Sequence, residues 1–131
     1  MAWKLHERLG PVPKLTGRPA RAFNQLEAKL ARLLDEWGID HQWQFRLGRY
    51  VYDFLLPGRI LIEVHGEYFH PDPKAGTAGL SPSRRRALVH DASKRLFAAG
   101  HGFRLRVVWE RDLNAGRVRR EDVAGRGRGP R

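Results

Sequence analysis

The chain has 131 residues, enough for one domain with a real core and too few for two. Its 25 Lys and Arg against 14 acids leave a net charge of +11, an excess that a solvated surface does not need and that favours a polyanionic partner, nucleic acid first. The absence of cysteine excludes disulfides and cysteine-ligated zinc, and the lack of a long apolar run or signal-type leader points to a soluble, intracellular (cytoplasmic) protein.

Residues 1–19 read as a basic irregular arm with three prolines and two glycines, containing at most a helical turn around Trp3 to Leu9. Such an arm either packs Trp3 or Leu5 onto the core or touches a nucleic acid backbone. From residue 20 to Trp37 the spacing of Phe23, Leu26, Leu30, Leu33, Leu34 and Trp37 predicts a helix with one buried stripe, opened near Pro19 and closed by Gly38. Glu27 lies at the edge of that stripe. A lone helical Glu is ordinarily a solvated group, unless the helix packs over the segment that follows.

That segment begins with a half-exposed strand over Ile39–Leu47, in which His41, Trp43 and Phe45 alternate with polar residues. Gly48-Arg49 turns it into a second strand, Tyr50–Leu56, and Pro57-Gly58 turns that into a third, Arg59–Val64. Strict alternation puts Val51, Asp53 and Leu55 on one face, and Leu61, Glu63 and His65 on the same side of the next strand. Two carboxylates and an imidazole then converge on an apolar hairpin, a costly arrangement unless it serves chemistry.

Residues 71–83 form a long loop, of a length that in compact domains is often functional. A helix follows from Arg84 to Ala99, N-capped by Ser83, with Leu88, Ala92, Leu96 and Phe97 as its apolar positions. Arg84, Arg85 and Arg86 stand at its start as either a solvated helix start or, since the helix dipole disfavours cations there, a phosphate-facing run; Lys94, further along, is a further DNA-contact candidate. Phe103–Trp109 is a fourth strand, parallel to a neighbour because a helix precedes it. Glu110–Leu113 adds a short helix, and the arginine- and glycine-rich residues 116–131, which hold +4 of the charge, are expected to be disordered and to contact phosphate. The domain proper is therefore 20–115, an α/β αβββαβ unit with a mixed four-stranded sheet flanked by helices.

An Asp and a Glu or carbonyl on adjacent strands supply the hard oxygen ligands that Mg²⁺ requires, and a nearby His can take a proton from water. The pattern Asp53…Glu63-x-His65 resembles the PD-(D/E)xK nuclease superfamily, with His65 where Lys usually stands. More narrowly, the string His65-Gly66-Glu67-Tyr68-Phe69-His70 is similar to the HGCFWH stretch of very-short-patch-repair endonucleases. It is also similar to the phage homing-type endonucleases named for a Glu–Asp–x–His–Asp set. The likeness runs over residues 20–113 and includes Gly102 to Glu110.

The resemblance implies a restriction-endonuclease-like core and a Mg²⁺-dependent (Mn²⁺ substituting) endonuclease acting on double-stranded DNA. Asp53 and the Val64 carbonyl would bind metal, and Glu27 would hold metal-bound water. His70 would be the general base, His65 would contact the scissile phosphate, and Asp91 would complete the set. Tyr68 and Phe69 match an aromatic pair that wedges between bases. Glu63, apolar in the repair enzymes, stays open as a further ligand, and Glu67 stands where those enzymes place a zinc ligand. The alternatives are a non-catalytic DNA-binding protein that retains the nuclease fold and, third, a basic RNA-binding domain.

Overall fold

The computed structural model describes residues 24–67 and 69–124. The first helix, α1 (Gln25–Glu36), starts at a capping box: Asn24 Oδ1 accepts the Glu27 N–H at 2.8 Å, and Glu27 Oε1 accepts the Asn24 N–H at 3.2 Å. These two bonds satisfy donors that a helix start leaves without partners. The start therefore lies five residues after the position that Pro19 indicated. Gly38, at φ 70°, ends the helix in the left-handed region that glycine adopts without strain.

The strands are β1 (Gln42–Leu47), β2 (Tyr50–Leu56), β3 (Ile60–His65) and β4 (Arg104–Trp109), in spatial order β1-β2-β3-β4. The first three form the expected antiparallel meander, and β4 pairs parallel to β3 from Ile60↔Arg104 to His65↔Trp109. The turn from β2 to β3 is three residues long rather than two, with Gly58 at φ 89° and Arg59 at φ 63°. Arg59 holds its left-handed backbone through bonds to the carbonyls of Gly102 (2.8 Å) and His101 (2.9 Å).

Helices cover both faces of the sheet. On one, Leu30 and Leu34 of α1 pack with Phe54, Leu56, Ile60, Ile62, Val108 and Leu113; on the other, Phe45, Tyr52, Leu55, Leu61 and Phe103 pack against Ala98. Ala98 belongs to α2 (Pro82–Gly100), which starts two residues earlier than read from the sequence because Ser81, not Ser83, is the cap and Pro82 takes the first helical position. Leu96 of α2, assigned to its apolar stripe, is 72% exposed.

Simple alternation fails at one level of the sheet. Tyr52 packs under α2 whereas Phe54 and Leu56 pack under α1, so the faces exchange across Asp53. On β1 the same exchange separates Trp43 from Phe45, across Gln44 at φ 60°. The β2–β3 ladder stops at Phe54↔Ile62, one residue short of Asp53 and Glu63.

After β4 come α3 (Glu110–Asn114) and α4 (Arg120–Ala124). The expectation of disorder from residue 116 is corrected for 116–124: Val123 is fully buried, Val118 packs beside it, and Arg117 bonds Asp112. Two valines at i and i+5 among arginines are too sparse to register as an apolar stripe. The arm 1–19 and residues 125–131 lie outside the described residues.

Candidate active site

The carboxyl end of β3 and the loop behind it meet the middle of α2. His65 ends the strand, Gly66 frees the chain to turn, and the His70 N–H closes the loop on the Gly66 carbonyl at 3.0 Å. This lays the His70 ring on that of His65, with centroids 3.8 Å apart and planes 6° from parallel. Asp91 of α2 meets the far side of His70, Oδ2 to Nδ1, at 3.0 Å. An anionic carboxylate accepts only, so Nδ1 carries the proton and Nε2 is left as an acceptor. The pairing of Asp91 with Arg95, an alternative the sequence allowed, does not form; Arg95 reaches the Leu105 carbonyl.

Under the histidines the break in the β2–β3 ladder is filled by acids. Asp53 Oδ2 accepts the Val64 N–H at 2.8 Å, and Glu63 Oε2 accepts the Asp53 N–H at 3.1 Å. Each carboxylate thus replaces a carbonyl that the widened ladder can no longer supply. Asp53 and Glu63 are both more than nine-tenths buried. Lys94, one turn along α2 from Asp91, places Nζ 3.0 Å from Glu63 Oε1, 2.8 Å from the Val51 carbonyl and 4.7 Å from the centroid of Tyr52.

Burial alone would raise the Glu63 carboxyl, but His65 and the Lys94 ammonium outweigh it and hold the group below the usual carboxylate range. Burial pushes the Tyr52 phenol well above its ordinary value, with the Glu63 charge adding to it. His65 Nε2 lies 3.7 Å from Glu63 Oε1, too far for a hydrogen bond, and is buried with no hydrogen-bond partner among the described residues. Beside these groups a cavity of about 450 Å³ opens between α2 and β4, walled by Leu105 and Val107.

The structure therefore gathers His65, His70 and Asp91 at one point, with Glu63 beside His65 and Asp53 bonded to Glu63. It does not bring Glu27 into the cluster. Glu27 is 1% exposed, and its Oε1 is engaged by the helix cap and by Trp43 Nε1 at 3.2 Å. Lys94, expected to face DNA, is turned inward on Glu63, and Arg84 donates to the Glu67 carbonyl at 2.8 Å. Arg85 and Arg86 are exposed, Phe69 is 71% exposed, and Tyr68 lies outside the described residues. Glu67 pairs with Arg111, which also holds Asp72.

The inward role of Lys94 was within reach of the sequence, since i and i+3 on a helix share a face and Asp91 was already in the set. The tie through Arg111 carried no such signal.

The donors suit a hard divalent cation at Asp53. Its carboxylate on β2 lies against Val64 of β3, and carboxylate and carbonyl oxygens are the hard donors that such a cation takes. Glu63 fits less well, because one oxygen serves Lys94 and the other the Asp53 N–H. Ligand atoms of His65, His70 and Asp91 all lie within 4.8 Å of one another. The two rings are nearly parallel, however, and in-plane lone pairs from parallel rings do not meet at one ion. A hydrogen-bonded imidazole–carboxylate pair describes His70 and Asp91 better than a chelate does.

No family model and no curated protein sequence matches the chain. Among solved structures it is similar to the catalytic domain of the homing endonuclease I-Bth0305I, with a TM-score of 0.53 and 21% identity over 70% of this chain and 82% of that one. The two share a fold.

Proposed function

We propose that the chain is a Mg²⁺-dependent endonuclease that hydrolyses phosphodiester bonds in double-stranded DNA, a homing- or repair-like member of the PD-(D/E)xK group. The observation that carries the reading is the His70–Asp91 pair beside the orphaned Nε2 of His65, above two buried carboxylates. Its +11 charge and a fold shared with a homing endonuclease domain supply the substrate class.

Asp53 and the Val64 carbonyl would hold the cation, with Mn²⁺ able to replace Mg²⁺. When bound, the ion polarises the phosphate and lowers the pKa of an attacking water. His70 Nε2 takes the proton from that water, while Asp91 fixes the tautomer and stabilises the imidazolium that forms. His65 Nε2 turns toward a phosphate oxygen, which supplies the partner the nitrogen lacks. Glu63, itself held by Lys94, secures the backbone of Asp53. Glu27 anchors Trp43 to the start of α1, and Phe69, 71% exposed, would wedge a base step together with Tyr68.

Supercoiled plasmid incubated with Mg²⁺, Mn²⁺ or EDTA tests this. Wild type should nick only with a divalent cation, and Asp53→Ala and His70→Ala should both lose the activity. Duplex binding that persists in EDTA, with no cut in any cation, would instead establish a DNA-binding protein that keeps a nuclease fold.

A further inference from the structure

The arginines at the start of α2 do not act together. Arg84 turns toward the histidine loop, whereas Arg85 and Arg86 turn to the opposite flank of the helix. There, with Val89, His90 and Ser93, they line a second, open concavity of about 480 Å³. Val89 and His90 follow Arg86 by three and four residues, and Ser93 follows them by four and three, so the four lie on one face of the helix. Asp91, which serves the base, belongs to the neighbouring stripe. The opposite wall is the β1–β2 turn, where Arg49 lies 5.2 Å from the ring centroid of Tyr50 and bonds its hydroxyl at 3.3 Å. His90 in turn meets the Tyr50 ring edge-on at 5.6 Å. Turn and helix are thereby locked together through one buried tyrosine.

Three guanidiniums and an imidazole share this concavity with no carboxylate in its lining, and none of the three arginines is paired with an acid among the described residues. The positive end of the α2 dipole adds to the same field. Like charges held at one concave point repel unless an anion enters, and the fork of donors on arginine suits phosphate oxygens. Arg86 precedes Asp91 by five residues, about 7.5 Å along a helix axis, close to two nucleotide steps at about 3.4 Å of rise per strand.

We infer that the concavity between the β1–β2 turn and the outer flank of α2, formed by Arg49, Arg85, Arg86, His90 and Ser93, is a docking site for backbone phosphates of the DNA strand beside the bond under attack. The inference rests on the DNA reading above and adds a site that takes no part in the chemistry. It fixes the duplex in register by charge and shape, without reading bases.

The test is duplex binding by the full chain in EDTA over a salt series, using two duplexes of unrelated sequence. Arg49→Ala/Arg86→Ala should lower the slope of log affinity against log salt by about 2, at about 0.9 per lost contact, equally for both duplexes. Ser93→Glu, which keeps every arginine and adds one negative charge, should weaken binding in the same direction and guards against misfolding of the double variant. Unchanged slopes in both variants overturn the inference. So does binding of inorganic pyrophosphate in the concavity that leaves DNA affinity unaltered, because the site then serves a small free anion. Altered slopes in the variants, with a wild type that never nicks, keep this site and remove the nuclease reading; a wild type that nicks, with unaltered slopes in the variants, does the reverse.

Discussion

His70 and Asp91 form a pair whose usefulness depends on one proton. Asp91→Asn keeps the shape but offers an amide that can present a donor to Nδ1, reversing the tautomer and blocking Nε2 as acceptor. Cation-dependent nicking should fall by about 10² to 10⁴, the range of general-base contributions, while duplex affinity in EDTA stays unchanged. A gel time course beside a binding curve checks both halves. Lys94 is the other residue whose role the structure changes. Lys94→Met leaves Glu63 charged, buried and without its ammonium, and should cost about 3–5 kcal/mol in a urea melt. Adding Glu63→Gln should recover most of that loss. The salt slope of DNA binding should not move with Lys94, in contrast to Arg86, because the Lys94 ammonium faces the protein interior.

At the scale of elements, the loop from Gly66 to Lys74 is held at both ends. Arg84 bonds the Glu67 carbonyl, and Arg111 of α3 pairs with Glu67 at 2.7 Å and Asp72 at 2.9 Å. Asp72 sits below the ordinary carboxylate range, first because it accepts the Lys74 N–H and then because of Arg111. A depressed acid contributes stability above its ordinary value of 3.8 and loses it as the pH falls through the lower folded value. Arg111→Ala should therefore flatten the acid limb of stability against pH and, by loosening the loop, lower the nicking rate more than the melting temperature. The β1–β2 turn gives a sharper test. A Cβ on Gly48, at φ 60°, would lie 2.6 Å from the Phe97 ring, so Gly48→Ala should destabilise by about 1–3 kcal/mol in thermal melts.

For the whole molecule, the order helix, three strands, helix, strand was legible from periodicity, since each apolar period of 3.6 or 2 matches the element formed. The site was legible in part. His65, His70 and Asp91 converge, and the Asp53–Glu63 proximity follows from hairpin pairing. What periodicity cannot express is a change of face within a strand, which arises from the left-handed Gln44 and the open ladder at Asp53. Nor could it weigh a single valine: Val123 is fully buried, though Glu121 and Asp122 precede it. A chain ending at Gly116 should lose at least about 1.5–3 kcal/mol, the burial of that side chain, relative to one ending at Ala124, which a denaturant titration resolves.

The exchange of faces at Asp53 also governs when the site comes into being. Tyr52 belongs to the half-core under α2 and Phe54 to the half-core under α1, so the residue between them is positioned only after both halves have docked. With a single layer in place, neither Asp53 nor the contact between His70 and Asp91 of α2 has the packing that sets it. Under the nuclease reading proposed above, competence to cut would arrive only with complete folding.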